Sequence, residues 1–136
     1  MGVERIVAGF GCRRGCTADE LSTLLNAALL EQGLAGKRLD GLASSERKRD
    51  EPGLAQLAQG LGLDVVFIND ECLQAQAAGL SEVSPVARRE FALDGVAEAA
   101  ALVLAGRLGR HPARLLMRKR RSANATLALA ISQEEA

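Results

Sequence analysis

The residues best suited to chemistry lie in one short stretch, 9–20, which has the sequence GFGCRRGCTADE. Its glycines and arginines are Gly9, Gly11, Gly15, Arg13 and Arg14. An apolar run precedes this stretch and an amphipathic pattern follows it, which predicts a strand, a glycine-rich turn and a helix in succession. Glycines let backbone N–H groups approach a ligand closely, and a helix N-terminus attracts negative charge. With the two guanidinium groups, this arrangement favours a site for carboxylates or phosphates.

A purely structural interpretation of the same stretch stays open. Thr17 and Glu20 match a capping box, in which Glu20 caps the backbone and has no catalytic role. The glycines are equally compatible with a tight turn that binds nothing. Cys12 lies close to the helix start and to the arginines, which would lower the pKa of its thiol. No histidine neighbours Cys12 in the sequence, so we do not expect it to act as a nucleophile.

Two familiar phosphate-binding loops do not fit this stretch. The dinucleotide-binding pattern needs G-x-G-x-x-G, and Gly15 comes one residue too late for its third glycine. The P-loop needs lysine and then serine or threonine after its last glycine, whereas Gly15 precedes Cys16 and Thr17. The sequence therefore supports neither dinucleotide nor nucleoside triphosphate binding, and we expect no cofactor.

Composition limits the function classes further. The chain has 136 residues, the size of a single domain over 1–136, and 48% of them are apolar. It contains three Phe, no Trp and no Tyr, and its formal net charge is zero. We therefore expect no nucleic-acid partner and no membrane binding. The sequence shows no signal peptide and no apolar run long enough to cross a bilayer, which favours a cytoplasmic protein.

Cysteine and histidine usage also bears on the class of protein. The three cysteines, Cys12, Cys16 and Cys72, suit a reducing compartment. The single histidine, His111, precedes Pro112, so we place it in a loop. One histidine with three scattered cysteines argues against a structural zinc site, and we expect no metal.

Hydrophobic periodicity predicts an α/β fold of three layers, α/β/α, around a mixed sheet of about five strands. Strands are predicted at 4–10, 37–44, 63–68, 113–117 and 125–131, and helices at 17–32, 52–62, 69–78, 84–91 and 94–106. The first three strands alternate with helices and should be parallel. Strand 63–68 is nearly all apolar, so we place it in the centre of the sheet. The basic loop 118–124 is too short for a helical crossover, so the last two strands should form an antiparallel pair.

Basic residues follow three of these strands. They form the clusters 13–14, 47–49 and 119–121. Ligands of open α/β sheets bind beyond the carboxyl ends of the strands, so parallel strands would bring all three clusters to one edge. Any one cluster alone is typical of a solvated loop, but their convergence predicts a ligand with several negative charges.

Glu98 is the one charged residue in the alanine-rich segment 96–105. A carboxylate in an apolar helix needs a partner or must face a cleft. A position in the first turns of the helix, near solvent, is the alternative. If Glu98 and Glu20 share a cleft, the two carboxylates would be suited to general acid–base catalysis.

Several motifs occur in an order that resembles a known family. They are GFGCRRG at 9–15, Glu20, the pair Ala43 and Ser44 with Lys48, EPGL at 51–54, VAEAAAL at 96–102, and the segment 119–126 with Asn124 and Thr126. In these motifs, which span nearly the whole chain, the sequence resembles the CobE/CbiG C-terminal family of cobalamin biosynthesis. Its short length is similar to that of the stand-alone members of this family.

The resemblance implies that the protein binds a precorrin or corrin intermediate, a tetrapyrrole with many carboxylate side chains. The ligand-binding residues implied are Gly9, Gly11, Cys12, Arg13, Arg14, Gly15, Ser44, Lys48, Lys119, Asn124 and Thr126. A cleft lined by alanine, leucine and Phe10 would accept the apolar ring. The implied role is that of a carrier, or of an accessory factor that docks onto another enzyme of the pathway. The alternative is a hydrolase that opens the ring lactone of a precorrin and releases acetaldehyde, with Glu20 and Glu98 as catalytic residues.

Overall fold

The computed structural model of the protein describes residues 2–78, 95–109 and 113–135. Within these ranges the strands are β1 (Gly2–Cys12), β2 (Gly41–Ser45), β3 (Val65–Ile68), β4 (Arg114–Arg121) and β5 (Ala125–Glu135). The helices are α1 (Ala18–Glu31), α2 (Pro52–Leu61), α3 (Asp70–Ala78) and α4 (Val96–Leu108), with a 3-10 turn at Glu46–Lys48. The helix predicted over 84–91 and His111 lie outside the described residues. No helix in these ranges combines the length and apolar character needed to cross a bilayer.

The strands form one mixed sheet in the order β3-β2-β1-β5-β4. β1 pairs in parallel with β2, and β2 pairs in parallel with β3. β5 is antiparallel to both of its neighbours, β1 and β4, so β4 runs in the same direction as β1. The predicted antiparallel pair is confirmed, and the carboxyl ends of β1, β2 and β4 meet at one edge of the sheet.

Alternation along β1 divides the core into two halves. Ile6 and Phe10 belong to the cluster formed with α1 and α2, whereas Val7 belongs to the cluster formed with α3 and α4. β5 alternates in the same way, with its leucines in the first cluster and Ala128 and Ala130 in the second. The predicted three-layer architecture is confirmed. Phe10, however, is fully buried in the core. The prediction that Phe10 lines a cleft for the apolar ring of a ligand is therefore wrong.

The apolar strand β3 lies at one edge of the sheet, not at its centre as predicted. Three of its four residues are only partly buried. The central position belongs to β1, which pairs with β2 on one side and along its full length with β5 on the other. A short apolar run indicates that both faces of a strand are covered, but it does not tell whether another strand pairs with each of its edges.

All five strands differ from the prediction at one boundary or more; β1 covers 2–12 rather than 4–10, β3 begins at Val65 rather than at residue 63, and β5 extends to Glu135 rather than to residue 131. β2 begins at Gly41 rather than at residue 37, and the segment before it turns at Gly36, whose φ is +82°. β4 continues to Arg121, so the basic residues expected in a loop lie in a strand that pairs with β5. The turn between β4 and β5 is therefore limited to residues 122–124.

The helices α1 and α2 begin and end close to the predicted residues. The N–H of Glu20 donates to Oγ1 of Thr17 over 3.1 Å, which confirms Thr17 as the N-cap of α1. α2 has Pro52 in its first turn, and its C-cap Gly62 takes the left-handed conformation. These local signals determine where both helices start along the chain, and the apolar stripes determine which face meets the sheet.

The helix α4 packs against the sheet on very small residues. A Cβ atom on Gly9 would lie 2.1 Å from the carbonyl oxygen of Ala97 and 2.7 Å from the backbone nitrogen of Ala101. The backbone of α4 therefore contacts β1 directly, and a side chain at residue 9 would overlap it. This contact places the N-terminal turn of α4 beside the carboxyl end of β1.

We predict that Gly9→Ala destabilises the protein, because the added methyl group forces α4 away from β1. Overpacking of this kind costs about 1–3 kcal/mol. The matched control is Gly106→Ala in α4, where the added Cβ meets no atom within 4 Å; it should stabilise the helix by about 0.5–1 kcal/mol. Urea unfolding measures both free energies, and a Gly9→Ala variant as stable as the parent would contradict the close packing.

Candidate functional site

A cleft of about 500 Å³ opens at the sheet edge where β1, β2 and β4 end. It is lined by Gly11, Cys12, Arg13, Ser45, Arg47, Lys48, Val96, Arg121, Ser122, Ala123, Asn124, Ala125 and Thr126. These residues come from the end of β1, the turn after β2, the first turn of α4 and the β4–β5 hairpin. Gly11 pairs with Thr126 and Cys12 pairs with Ala125, so the paired ends of β1 and β5 form the floor of the cleft.

Four cationic side chains line this cleft. Arg13 follows β1, Arg47 and Lys48 follow β2, and Arg121 ends β4. No carboxylate is among the described residues of the lining. One or two members of each of the three predicted basic clusters therefore meet at one sheet edge, whereas Arg14, Arg49, Lys119 and Arg120 do not line the cleft. The positive charges that do meet there favour anions.

The N-terminus of α4 adds to this potential. Val96, the first residue of α4, lines the cleft, and the N-cap residue is Gly95, which has no side chain that could accept a hydrogen bond from the first N–H groups. The first N–H groups of a helix carry partial positive charge. The sequence does not reveal this contribution, because its pattern predicts the helix but not which of its ends meets the strands.

Arg47 is held in place from outside the cleft. Its Nε and Nη2 donate to Oδ2 of Asp70, at the start of α3, over 3.0 and 2.6 Å. Its backbone N–H donates to Oγ of Ser45 over 3.2 Å. The Asp70 carboxylate raises the pKa of Arg47, so the guanidinium stays charged. The Arg47 side chain is 76% exposed, which leaves further N–H donors of its planar group for a second acceptor.

The glycine loop uses its N–H groups within the protein instead of leaving them for an anion. The N–H of Arg13 donates to the carbonyl oxygen of Asn124 over 2.7 Å. The N–H of Gly15 donates to Oε2 of Glu51 over 3.0 Å. The N–H of Cys16 donates to the carbonyl oxygen of Arg13 over 3.1 Å. The loop backbone therefore joins the hairpin to the start of α2, and Arg13 is the residue of this loop that lines the cleft.

Cys12 lies in the floor of the cleft as an uncharged thiol. Burial raises the pKa of this thiol to about 11, and the positive charge of Lys48 offsets the rise only in part. The lowered pKa expected from the sequence is therefore wrong, because desolvation outweighs the nearby charge. At neutral pH the site holds no thiolate nucleophile.

Glu20 faces the β4–β5 hairpin. Its carboxylate accepts hydrogen bonds from the hydroxyl of Ser122, from the N–H of Asn124 over 2.7 Å and from Nδ2 of Asn124 over 2.9 Å. These donors lower the pKa of Glu20, so the group is ionised at neutral pH. The backbone N–H of Glu20 takes part in the capping of α1, because it donates to the side chain of Thr17. The carboxylate of Glu20 accepts hydrogen bonds from the hairpin.

The predicted site residues fall into two groups. Gly11, Cys12, Arg13, Lys48, Asn124 and Thr126 line the cleft, whereas Gly9, Arg14, Gly15, Glu20, Ser44, Glu98 and Lys119 do not. Ser44 is fully buried, and its hydroxyl donates to the carbonyl oxygen of Phe10 over 2.8 Å, so it fastens β2 to β1. Glu98 is partly exposed in the first turn of α4. The roles assigned to these residues from the sequence stay predictions.

Sequence reasoning missed several residues of the lining. Ser45, Ser122 and Ala123 stand out in no sequence pattern, and Arg47 and Arg121 stand out only as members of basic clusters. For the two arginines a signal was available, since each lies where a strand ends at the carboxyl edge of the sheet. The other three depend on the exact ends of β2 and β4, which local sequence patterns do not determine.

We predict that alkylation of Cys12 by iodoacetamide is slow at pH 7 and accelerates up to about pH 11, because only the thiolate reacts. The rate is measured with Cys16→Ala and Cys72→Ser in place, which leaves Cys12 as the only one of the three thiols. Lys48→Met should slow the reaction at each pH, because loss of the positive charge raises the thiol pKa again. Arg49→Met is the matched control. Rapid alkylation at pH 7 would contradict the buried thiol.

Comparison with known proteins identifies the family of this chain. The family described as "Cobalamin synthesis G C-terminus" matches residues 6–130. Protein CobE of a Sinorhizobium species is 37% identical over 125 residues, which are 92% of this chain and 79% of that protein. The crystal structure of CobE, a protein from the cobalamin (vitamin B12) biosynthetic pathway, is similar with a TM-score of 0.85 at 45% identity; the match covers 99% of this chain and 96% of that one.

A longer relative is an enzyme. The cobalt-precorrin-5A hydrolase of Priestia megaterium is 27% identical over 126 residues, which are 93% of this chain and 32% of the hydrolase. This chain thus spans about a third of the enzyme's length. The family match and the identity to CobE both extend over most of the present sequence. The chain therefore belongs to the cobalamin synthesis G C-terminus family of cobalamin biosynthesis proteins.

Proposed function

We propose that this protein binds a polycarboxylate precorrin or corrin intermediate in the cleft, and that it acts in cobalamin biosynthesis as a carrier or as an accessory factor for another enzyme of the pathway. One observation carries the proposal. Cationic side chains from three separate segments face one space of about 500 Å³, whose described lining contains no carboxylate. Such a lining suits a ligand that bears several negative charges close together.

The chemistry of these intermediates matches the lining. Precorrins and corrins carry acetate and propionate side chains around an apolar ring. Guanidinium groups bind carboxylates through paired, charge-assisted hydrogen bonds, and Arg13, Arg47 and Arg121 supply them. Lys48 adds an ammonium group, and the apolar atoms of Val96 offer a contact for the ring. The arginines would thus orient the ligand through its side chains.

Hydrolysis of a precorrin lactone is the alternative, and the similarity to a cobalt-precorrin-5A hydrolase favours it. Two observations support binding instead. Neither Glu20 nor Glu98 lines the cleft, and the Cys12 thiol has a pKa of about 11. The similarity also covers only 32% of the hydrolase, so most of that enzyme lies outside the matched region.

We predict that the protein binds cobyrinic acid, a corrinoid with free carboxylate side chains, and not its fully methyl-esterified form. The ester keeps the ring but removes the negative charges of the carboxylate side chains, so it is the matched control for the ligand. Binding is measured by absorbance titration of the corrinoid. The affinity for cobyrinic acid should fall as salt is raised, because exposed charge pairs are screened.

Substitutions at lining residues, compared with substitutions at nearby residues that do not line the cleft, show whether the ligand binds in the cleft. Arg13→Gln, Lys48→Gln and Arg121→Gln should each weaken binding about tenfold, the value of one charge-assisted hydrogen bond. The matched controls are Arg14→Gln, Arg49→Gln and Lys119→Gln. Each removes one positive charge at a position one or two residues from the corresponding test position, and none of these three residues lines the cleft. They should change the affinity by less than about threefold.

Three outcomes would contradict the proposal. They are equal binding of the acid and the ester, equal losses in the lining and the control variants, and no binding at all. Release of acetaldehyde from a lactone-containing precorrin by this protein alone would favour the hydrolase.

A further inference from the structure

Glu20 fastens the β4–β5 hairpin, one wall of the cleft, to the first turn of α1. Both oxygens of its carboxylate are used. Oε2 accepts from the hydroxyl of Ser122 and from the N–H of Asn124, and Oε1 accepts from Nδ2 of Asn124. Hydrogen bonds to an ionised carboxylate are about twice as strong as those between neutral groups. This carboxylate therefore fixes the conformation of the turn at 122–124.

The same turn fixes the glycine loop. The carbonyl oxygen of Asn124 accepts the N–H of Arg13 over 2.7 Å. Glu20, Asn124 and Arg13 are thus joined by hydrogen bonds that start outside the cleft and end at the backbone N–H of Arg13, a residue that lines the cleft. Arg121 directly precedes the turn and also lines the cleft. A shift of the turn would therefore move two guanidinium groups relative to the cations that follow β2.

From this geometry we infer that Glu20 is a positioning residue for the ligand site: it holds the hairpin and Arg13 in the arrangement that binds carboxylates, and it does not contact the ligand. The inference rests on the proposed function of the cleft. This role differs from the acid–base catalysis that the sequence predicts for Glu20. It agrees with the structure, in which the Glu20 carboxylate accepts hydrogen bonds from the hairpin and does not line the cleft.

If Glu20 is a positioning residue, its neutralisation should weaken ligand binding, whereas the loss of charge repulsion alone would strengthen it. A carboxylate near an anion site repels the ligand, so its neutralisation alone should strengthen binding. If Glu20 positions the hairpin, its neutralisation should weaken binding in spite of the lost repulsion. Asp19 provides the matched control, because it lies in the same first turn of α1 and carries the same charge. It does not belong to the set of hydrogen bonds that joins Glu20 to the hairpin.

The experiment compares the parent protein with Glu20→Gln and Asp19→Asn in titrations with cobyrinic acid at one salt concentration. Glu20→Gln should bind about tenfold more weakly, the loss of one charge-assisted contact to the ligand. Asp19→Asn should bind like the parent or slightly more tightly. Amide hydrogen exchange at Arg13 and Asn124, measured without ligand, should be faster in Glu20→Gln and unchanged in Asp19→Asn.

A folding check accompanies these measurements. Urea unfolding shows whether each variant is folded. If Glu20→Gln does not fold, Glu20→Asp takes its place with the same expectation, because it keeps the charge but shortens the side chain by one methylene group.

The outcomes separate this inference from the proposed function. If the parent binds and the Glu20 variant binds equally well or better, the inference is overturned and the proposed function stands. The same holds if exchange at Arg13 and Asn124 becomes faster while the affinity stays unchanged. If the parent itself does not bind cobyrinic acid, the proposed function fails and the inference fails with it.

Discussion

The geometry of the cleft depends on the close approach of α4 to β1 at Gly9. Because the helix backbone contacts the strand there, the first turn of α4 lies at the carboxyl edge of the sheet, next to the ends of β1 and β2. The alanines of β5 and α4 extend the same surface of small residues. A larger side chain at this contact would move the helix, and with it the part of the cleft lining formed by Val96.

Carboxylates that do not line the cleft bind one of its cations directly and fix two of the segments that carry the others. Asp70 binds the guanidinium of Arg47. Glu51 binds the N–H of Gly15 in the loop that carries Arg13, and Glu20 binds the hairpin that follows Arg121. The chain has no net charge, yet its charges are separated at this edge, with positive groups facing the cleft and negative groups supporting them. A neutral protein thus presents a positive site.

Much of the fold follows from local patterns in the sequence, whereas the long-range hydrogen bonds of the site do not. The N-cap Thr17, the start of α2 at Pro52 and the order of strands and helices within 2–78, 95–109 and 113–135 are encoded by local patterns, and the structure confirms them. The meeting of basic segments follows from parallel strands. The bond from Gly15 to Glu51 spans 36 residues and that from Asn124 to Glu20 spans 104, so no local pattern reveals them. The raised pKa of the Cys12 thiol was missed for a related reason, since burial depends on the whole fold.

The position of β4 at an edge of the sheet has a consequence for how the protein behaves at high concentration. Unpaired edge strands are templates on which a second chain can add and start a fibril. β4 carries exposed arginines and a lysine along this edge, and its pairing with β5 shifts register between Leu115 and Met117 and again between Met117 and Arg120. Like charges and an irregular strand both oppose the flat, in-register stacking that cross-β assembly requires. The basic strand that ends in the cleft thus also carries two features that oppose edge-to-edge pairing at this side of the sheet.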